Sequence, residues 1–417
     1  MVSLAASSLL LSAGVVLVGM RGETVGALGV YFDGHFYIDI ARSFPLPYSP
    51  EGLDYLGHAP GFSAALFLAR LLTPDALHWG AIALGVTWLS AAAAVVAFYC
   101  LCLEVEVPAL PASLTFLLLN PAWILVSAAA HPEPLATALA LACFVAYLRG
   151  SLGWAVLWLS LASLTRFPAI LLGGALAFDL LVIRRRWDRS TIAWLALPLV
   201  VLGLYQLYLY WRVPAFTGMW DVHQVHWVSH WTYPFAAVLR YWPLMSERGL
   251  FQGPIVYTTI AFFLSATLAG GRPSQRKVWW LSVWSGLILL LHVSMSGTPG
   301  VESFARLAML AWPPALLIAW RLLPRGVAWL PVAVACLALG GVGAWVSTQQ
   351  IRVAVFVQNH TLWIPPKVAT LRSDAPRWVD FKEIRDLDRV RAARRQKRER
   401  SAVRGGGAAG ARRVTPR

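Results

Sequence analysis

Over 417 residues the chain is 58% hydrophobic and only 13% charged, and apolar runs long enough to cross a bilayer recur from end to end. That composition excludes a soluble globular enzyme and reads as a polytopic membrane protein. The formal charge of +15 does not mark a nucleic-acid binder, because many of the cations lie in short loops and a terminal tail rather than in a folded basic groove.

The first apolar segment, residues 4 to 20, has no basic leading region and no strong small-residue cleavage signal, so it is expected to be retained as a helix. Residues 21 to 76 then form the expected first extracytoplasmic loop. Within it, the stretch from Phe32 to Pro60 gathers Asp33, Asp39, Glu51 and Asp54 in a chain otherwise poor in charge. Read as a helix, it puts Asp33 and Tyr37 on one side, at spacing i, i+4, and His35, Asp39 and Arg42 on another, until Pro45, Pro47 and Pro50 break it. The bland alternative is a solvated loop, with Asp39 and Arg42 in an exposed bridge worth well under about 1 kcal/mol.

Residues 59 to 72 are apolar but short, and Pro74 and Asp75 follow, which suits an interfacial or half-buried helix. Helices are then expected at 77 to 103, 109 to 130, 133 to 148, a broken pair at 152 to 164 and 166 to 183, 191 to 211, 250 to 269, 278 to 295, 304 to 321 and 327 to 346. The fold class is therefore an all-α polytopic membrane bundle of about ten to twelve spans with extracytoplasmic interfacial helices. Arg149, the run at 184 to 189, residues 271 to 277, and Arg321 with Arg325 fall on one side, which the positive-inside bias makes cytoplasmic. The opposite face receives the Asp33 stretch, the turn from His131 to Pro134, the segment 212 to 249 and the turn 298 to 306.

The segment 212 to 249 carries Trp220, Trp227, Trp231 and Trp242 with His223, His226 and His230. The histidine spacing suits one helical face and admits a metal site, but a helix at headgroup level accounts better for so many amphipathic rings. Cys100, Cys102, Cys143 and Cys336 all lie inside apolar runs, so neither a disulfide nor a zinc site is expected. From residue 349 the apolar pattern ends, leaving 1 to 348 as the transmembrane domain and 349 to 417 as a linker and basic tail, expected to be disordered.

Two blocks carry a family resemblance. The run Asp33-Gly34-x-x-Tyr37-x-x-Ile40-Ala41 after the first helix resembles the signature of the class V GPI mannosyltransferases and, more loosely, of other GT-C glycosyltransferases that use polyprenyl phosphates. Asn120-Pro121-Ala122-Trp123, His131-Pro132-Glu133-Pro134-Leu135, Tyr147-Leu148-Arg149-Gly150 and Ala162-Ser163-Leu164-Thr165-Arg166-Phe167 resemble that family's helix, outward Glu turn, second helix and Arg-containing run. The chain departs from the pattern at Phe32, at His131-Pro132 before the Glu, and at Phe167-Pro168 after the Arg. Beyond residue 180, only Arg306 and the following Pro313 and Pro314 are similar to the superfamily.

The resemblance implies an integral plasma-membrane enzyme with an extracytoplasmic active site and no metal or other cofactor. Such an enzyme transfers a sugar, mannose-like here, from a polyprenyl-phosphate donor to a glycan, lipid or protein acceptor with inversion, among membrane lipids and without nucleic acid. It makes Asp33 the catalytic base and Tyr37, His58, Glu133, Arg166 and Arg306 the substrate-binding candidates. The physical reading agrees on the arginines: a cation inside an apolar run is costly unless it pairs or lines a wet cavity. For Arg166 the rival role is a structural pair with Glu133. A transporter or lipid flippase is the alternative from another class, although no counterpart of the Asp33 stretch exists in the second half to suggest an internal repeat.

Overall fold

In the computed structural model, residues 1–20, 33–44, 57–73, 77–213, 216, 218–220, 222–223, 230–236, 238–239, 252–296, 304–323, 334, 337–345 and 347–348 are described, and their apolar runs fold as helices. Helix α1 is Val2–Met20. The Asp33 stretch forms α2, Gly34–Ser43, whose buried side presents Tyr37, Ile38, Ile40 and Ala41. It packs on α3, Pro60–Leu72, and on α4, Trp79–Glu104, a helix of 26 residues that also receives α1.

The run 109 to 130, expected as one helix, is two. α5, Ala109–Leu118, and α6, Pro121–Ala128, meet at an angle of 73°. The cause is local: Asn120 Oδ1 accepts the Ala122 N–H at 3.0 Å, and Pro121 stands at the first helical position, where a missing N–H is harmless. A new helix therefore starts where the apolar pattern alone runs on.

Next come α7, Glu133–Leu148, and α8, Leu152–Thr165, joined through Gly150 at φ +83°. Only glycine takes that left-handed conformation without strain. Small residues on the two helices, among them Ala136, Ala140, Ala155 and Ala162, are fully buried, and small buried side chains let packed helices approach closely where a bilayer supplies no hydrophobic drive. At Arg166 the backbone turns extended, and the chain resumes as a 3-10 turn, Phe167–Leu171, then α9, Leu172–Ala177, and a π turn, Phe178–Ile183. The expected break in this run is present.

Asp188 caps α10, Arg189–Arg212, accepting the Thr191 N–H at 2.9 Å. The remaining helices are α11, Gln252–Gly270; α12, Trp279–Val293; α13, Phe304–Leu307, with a 3-10 turn at Ala308–Ala311; and α14, Trp312–Leu322. Strand β1, His230–Trp231, pairs antiparallel with β2, Met295–Ser296, tying part of the Trp/His-rich segment to the end of α12. The aromatic core stacks Phe144 on Trp284 at 4.3 Å and Phe98 on Phe116 at 4.6 Å.

Among the described residues, α4 and α10 are each long and apolar enough to cross a membrane, and the bent pair α5 and α6 makes a third candidate span. Other apolar runs are carried by shorter helices of 10–17 residues. Leu199, Leu204 and Leu207 on α10 face outward, as a lipid-facing side requires. Two of the cations expected on one side meet the same end of α4: Arg149 Nε lies 2.8 Å from Glu104 Oε1, and Arg321 Nη1 donates to the Val105 carbonyl at 2.7 Å. Glu133 opens α7 at the end opposite Arg149, sixteen helical residues or roughly 24 Å away. Cys100, Cys102 and Cys143 are free thiols. Glu51, Asp54, His226, Cys336 and the tail 349–417 lie outside the described residues.

Candidate active site

Asp33 occupies the position before α2 where an aspartate ordinarily caps the helix, yet its side chain makes no capping hydrogen bond. The carboxylate is turned instead to Arg306, whose Nη1 donates to Oδ2 at 2.7 Å. Neighbouring atoms surround Asp33 densely, but 32% of its side-chain surface stays accessible, so it forms a wall of the site rather than part of the core. Four chain segments converge here.

Arg306, in α13, is shared. Besides Asp33, its Nη1 reaches His131 Nδ1 at 3.3 Å and its Nε lies 3.6 Å from Glu133 Oε1. His131 comes from the turn that ends α6, and Glu133 begins α7, where a helix N-terminus favours negative charge. Arg166, placed where α8 gives way to extended backbone, approaches the same Glu133 Oε1 at 3.5 Å. Neither Glu133 oxygen has a hydrogen-bond partner among the described residues, although the side chain is only 3% exposed. The ion pairs around it are loose enough to leave both oxygens able to accept a hydrogen bond.

The other predicted residues line the same place. Tyr37 sets its ring edge-on to His58 at 5.0 Å and to Phe62 at 5.3 Å, while Phe36 stacks on His58 at 4.7 Å. His58 ends the turn before α3, and its position is fixed because Pro60 starts that helix at N1. Thus Asp33, Tyr37, His58, Glu133, Arg166 and Arg306 are brought together, with two carboxylates against two guanidinium groups. Asp39, by contrast, points away and pairs with Arg42 at 3.6 Å, both about a third exposed.

Burial alone would push the Asp33 carboxyl up, but the Arg306 charge first, then His58 and His131, and last the Arg306 hydrogen bond, hold it well below the usual carboxylate range. Burial likewise keeps the Tyr37 phenol protonated above its ordinary value, against the opposing charge of Arg166. His58 is lowered to about 3 by burial, which outweighs the attraction of Asp33. His131 is lowered to about 4, burial again leading and Arg306 adding to it against Glu133.

Two further residues belong to this site, from segments that the sequence places on the same outer face but without naming these side chains as site residues. His131 was visible only as part of an outer turn and as a departure from the family pattern. His223, considered for metal or headgroup roles, instead hydrogen-bonds to backbone at Gly57, beside His58, and burial lowers it to about 4. The side chains needed to complete its histidine triplet, those of His226 and His230, lie outside the described residues.

Comparison with known proteins places little beside this geometry. No protein-family model matches the chain, and no curated protein matches it. Among solved structures, the crystal structure of ArnT from Cupriavidus metallidurans bound to undecaprenyl phosphate is similar, at a TM-score of 0.49 and 14% identity, covering 84% of this chain and 76% of that one.

The support beneath the site is testable. A Cβ on Gly61 would stand 2.6 Å from Thr165 Oγ1 and 2.9 Å from the Leu164 carbonyl, immediately before Arg166. Gly61→Ala is therefore expected to push α3 off α8 and lower thermal stability by about 1–3 kcal/mol, as overpacking does. Gly85→Ala, where nothing lies within 4 Å, is the control and should be neutral or stabilising.

The buried histidines predict acid sensitivity. His58, His131 and His223 fall from an ordinary 6.5 to about 3, 4 and 4 in the folded chain. A lowered folded value means that the unfolded chain binds protons first, so stability held above about pH 6.5 drains away as pH falls toward 4. The unfolding midpoint of the detergent-solubilised protein should drop across that window, before the Asp33 pair is lost.

Proposed function

We propose that the chain is an integral membrane glycosyltransferase that transfers a mannose-like hexose from a polyprenyl-phosphate donor to an acceptor hydroxyl on the extracytoplasmic side of the plasma membrane. The observation that carries this reading is the shared guanidinium of Arg306, held between Asp33 and Glu133 with Arg166 beside it. A carboxylate that can take a proton stands next to cations that can take a phosphate.

In this mechanism Asp33 accepts the proton of the acceptor hydroxyl as its oxygen attacks the anomeric carbon. The bond from that carbon to the phosphate oxygen breaks, and the electron pair leaves with the polyprenyl phosphate. Attack opposite the leaving group inverts the sugar. Negative charge grows on the phosphate as the bond breaks, so Arg306 and Arg166 stabilise the transition state more than the ground state. The paired Asp33 is a weak base at rest, and an anionic donor that draws on Arg306 raises its basicity when the acceptor must be deprotonated. Glu133 holds a sugar or acceptor hydroxyl, and Tyr37 and His58 form an aromatic wall beside it. The proton and charge bookkeeping closes without a metal.

Several features support the reading: the resemblance over residues 30 to 180, the lipid-facing helices, and the location of Glu133 at the end of α7 opposite Arg149. The test is incubation of purified protein with a panel of polyprenyl-phosphate sugars in detergent or liposomes. Release of polyprenyl phosphate with formation of a glycosylated acceptor is expected. Movement of an intact lipid-linked sugar across the bilayer without cleavage would instead identify a flippase.

A further inference from the structure

His131 meets Arg306 in a way that fixes its protonation state. An arginine N–H can only donate, so His131 Nδ1, 3.3 Å from Arg306 Nη1, must be the acceptor and the imidazole must carry its proton on Nε2. The same Nδ1 lies 3.8 Å from Glu133 Oε2, a contact that becomes attractive only if Nδ1 is protonated. The two contacts are mutually exclusive. A neutral ring seats the arginine; a charged ring turns to Glu133 and sets a cation against the arginine.

The seat matters for what the guanidinium can offer. Among the described residues Asp33 and His131 both engage Nη1 and Nε faces Glu133, which leaves Nη2 to meet an incoming anion. We propose that His131 is a positioning residue that sets the roll of the Arg306 guanidinium toward the donor phosphate and releases it when the ring is protonated. This rests on the glycosyltransferase reading and names the device that makes its phosphate site sensitive to acid. The charged groups facing His131 are Asp33 ahead of α2, Glu133 at the start of α7, Arg166 at the end of α8 and Arg306 in α13. Asp33 is itself held low, so the ring titrates before that carboxylate does.

The test uses the full-length protein in detergent and undecaprenyl methyl phosphate, a diester whose single charge is constant from about pH 4 to 7. Wild-type protein is expected to bind it at neutral pH and to lose about tenfold in affinity as the pH approaches 4. His131→Asn retains an acceptor that does not protonate. It should bind within about threefold of wild type at neutral pH and lack the acid decline. His131→Leu, which has no acceptor, should bind about tenfold more weakly at neutral pH. His58 and His223 titrate alike in all three proteins, so the difference between wild type and His131→Asn isolates His131. If His131→Asn keeps the full acid decline, or a folded His131→Leu binds as wild type does, the inference is overturned while the enzyme reading stands. If His131→Leu does not fold, the Asn variant alone decides. Failure of the wild-type protein to bind the diester at neutral pH would sink the glycosyltransferase reading and this inference with it.

Discussion

Asp33→Asn is expected to lower turnover on the order of a hundredfold or more while the protein folds and still binds the lipid phosphate. The amide keeps the size of the carboxylate and can still accept a hydrogen bond from Arg306, but it cannot take the proton of an acceptor hydroxyl. Because Arg306 is then no longer shared with an anion, donor affinity should be unchanged or tighter. That combination separates a base from a structural partner. Were Asp33 present only to neutralise Arg306, the variant would lose expression or thermal stability, and whatever folded would turn over normally. Asp39→Asn provides the contrast: its carboxylate belongs to an exposed pair with Arg42 away from the cluster, and its loss should leave both rate and stability nearly unchanged. Full activity in a well-folded Asp33→Asn protein eliminates the assignment of the base.

The elements of this site were legible in the sequence to different degrees, and the reasons are physical. Asp33 and Tyr37 share a helical side by local periodicity, and Glu133 and Arg166 sit in adjoining motifs. Arg306 stood out through the cost of a cation in an apolar run. Their convergence was not a local property: Arg306 and Asp33 are 273 residues apart in the chain, and Arg306 and His131 are 175 apart. Periodicity carries no information over such separations. The His131 turn belongs to the outer face by sequence, but the role of its side chain is not legible there, since a histidine in a turn gains meaning only from the arginine opposite. The break between α5 and α6 was a different failure. Asn120 followed by Pro121 is a helix-start signal, but the apolar run continues unbroken across it, so hydropathy alone does not divide the segment.

Arg306→Gln tests the other half of the site and should act on folding and on rate at once. Glu133 would then have only Arg166 as a charged guanidinium partner, and Asp33 would lose its 2.7 Å ion pair. Breaking a half-buried pair from one side leaves an uncompensated charge and costs about 1–3 kcal/mol. Turnover should fall by a further factor on the order of a hundred to a thousand, as when a donor to developing negative charge is removed. The two effects are separable through the double variant Asp33→Asn with Arg306→Gln. Removing both charges should restore much of the lost stability, because neither is left stranded, yet turnover should remain at the floor. Arg306→Lys refines the argument: an ammonium supplies the charge but cannot spread contacts to Asp33, His131 and Glu133 from one rigid plane, so it should recover stability more than rate. If instead the double variant is no more stable than Arg306→Gln alone, Asp33 and Arg306 are not energetically coupled. Wild-type turnover in Arg306→Gln would remove Arg306 from the chemistry and leave Arg166 as the cation that meets the phosphate.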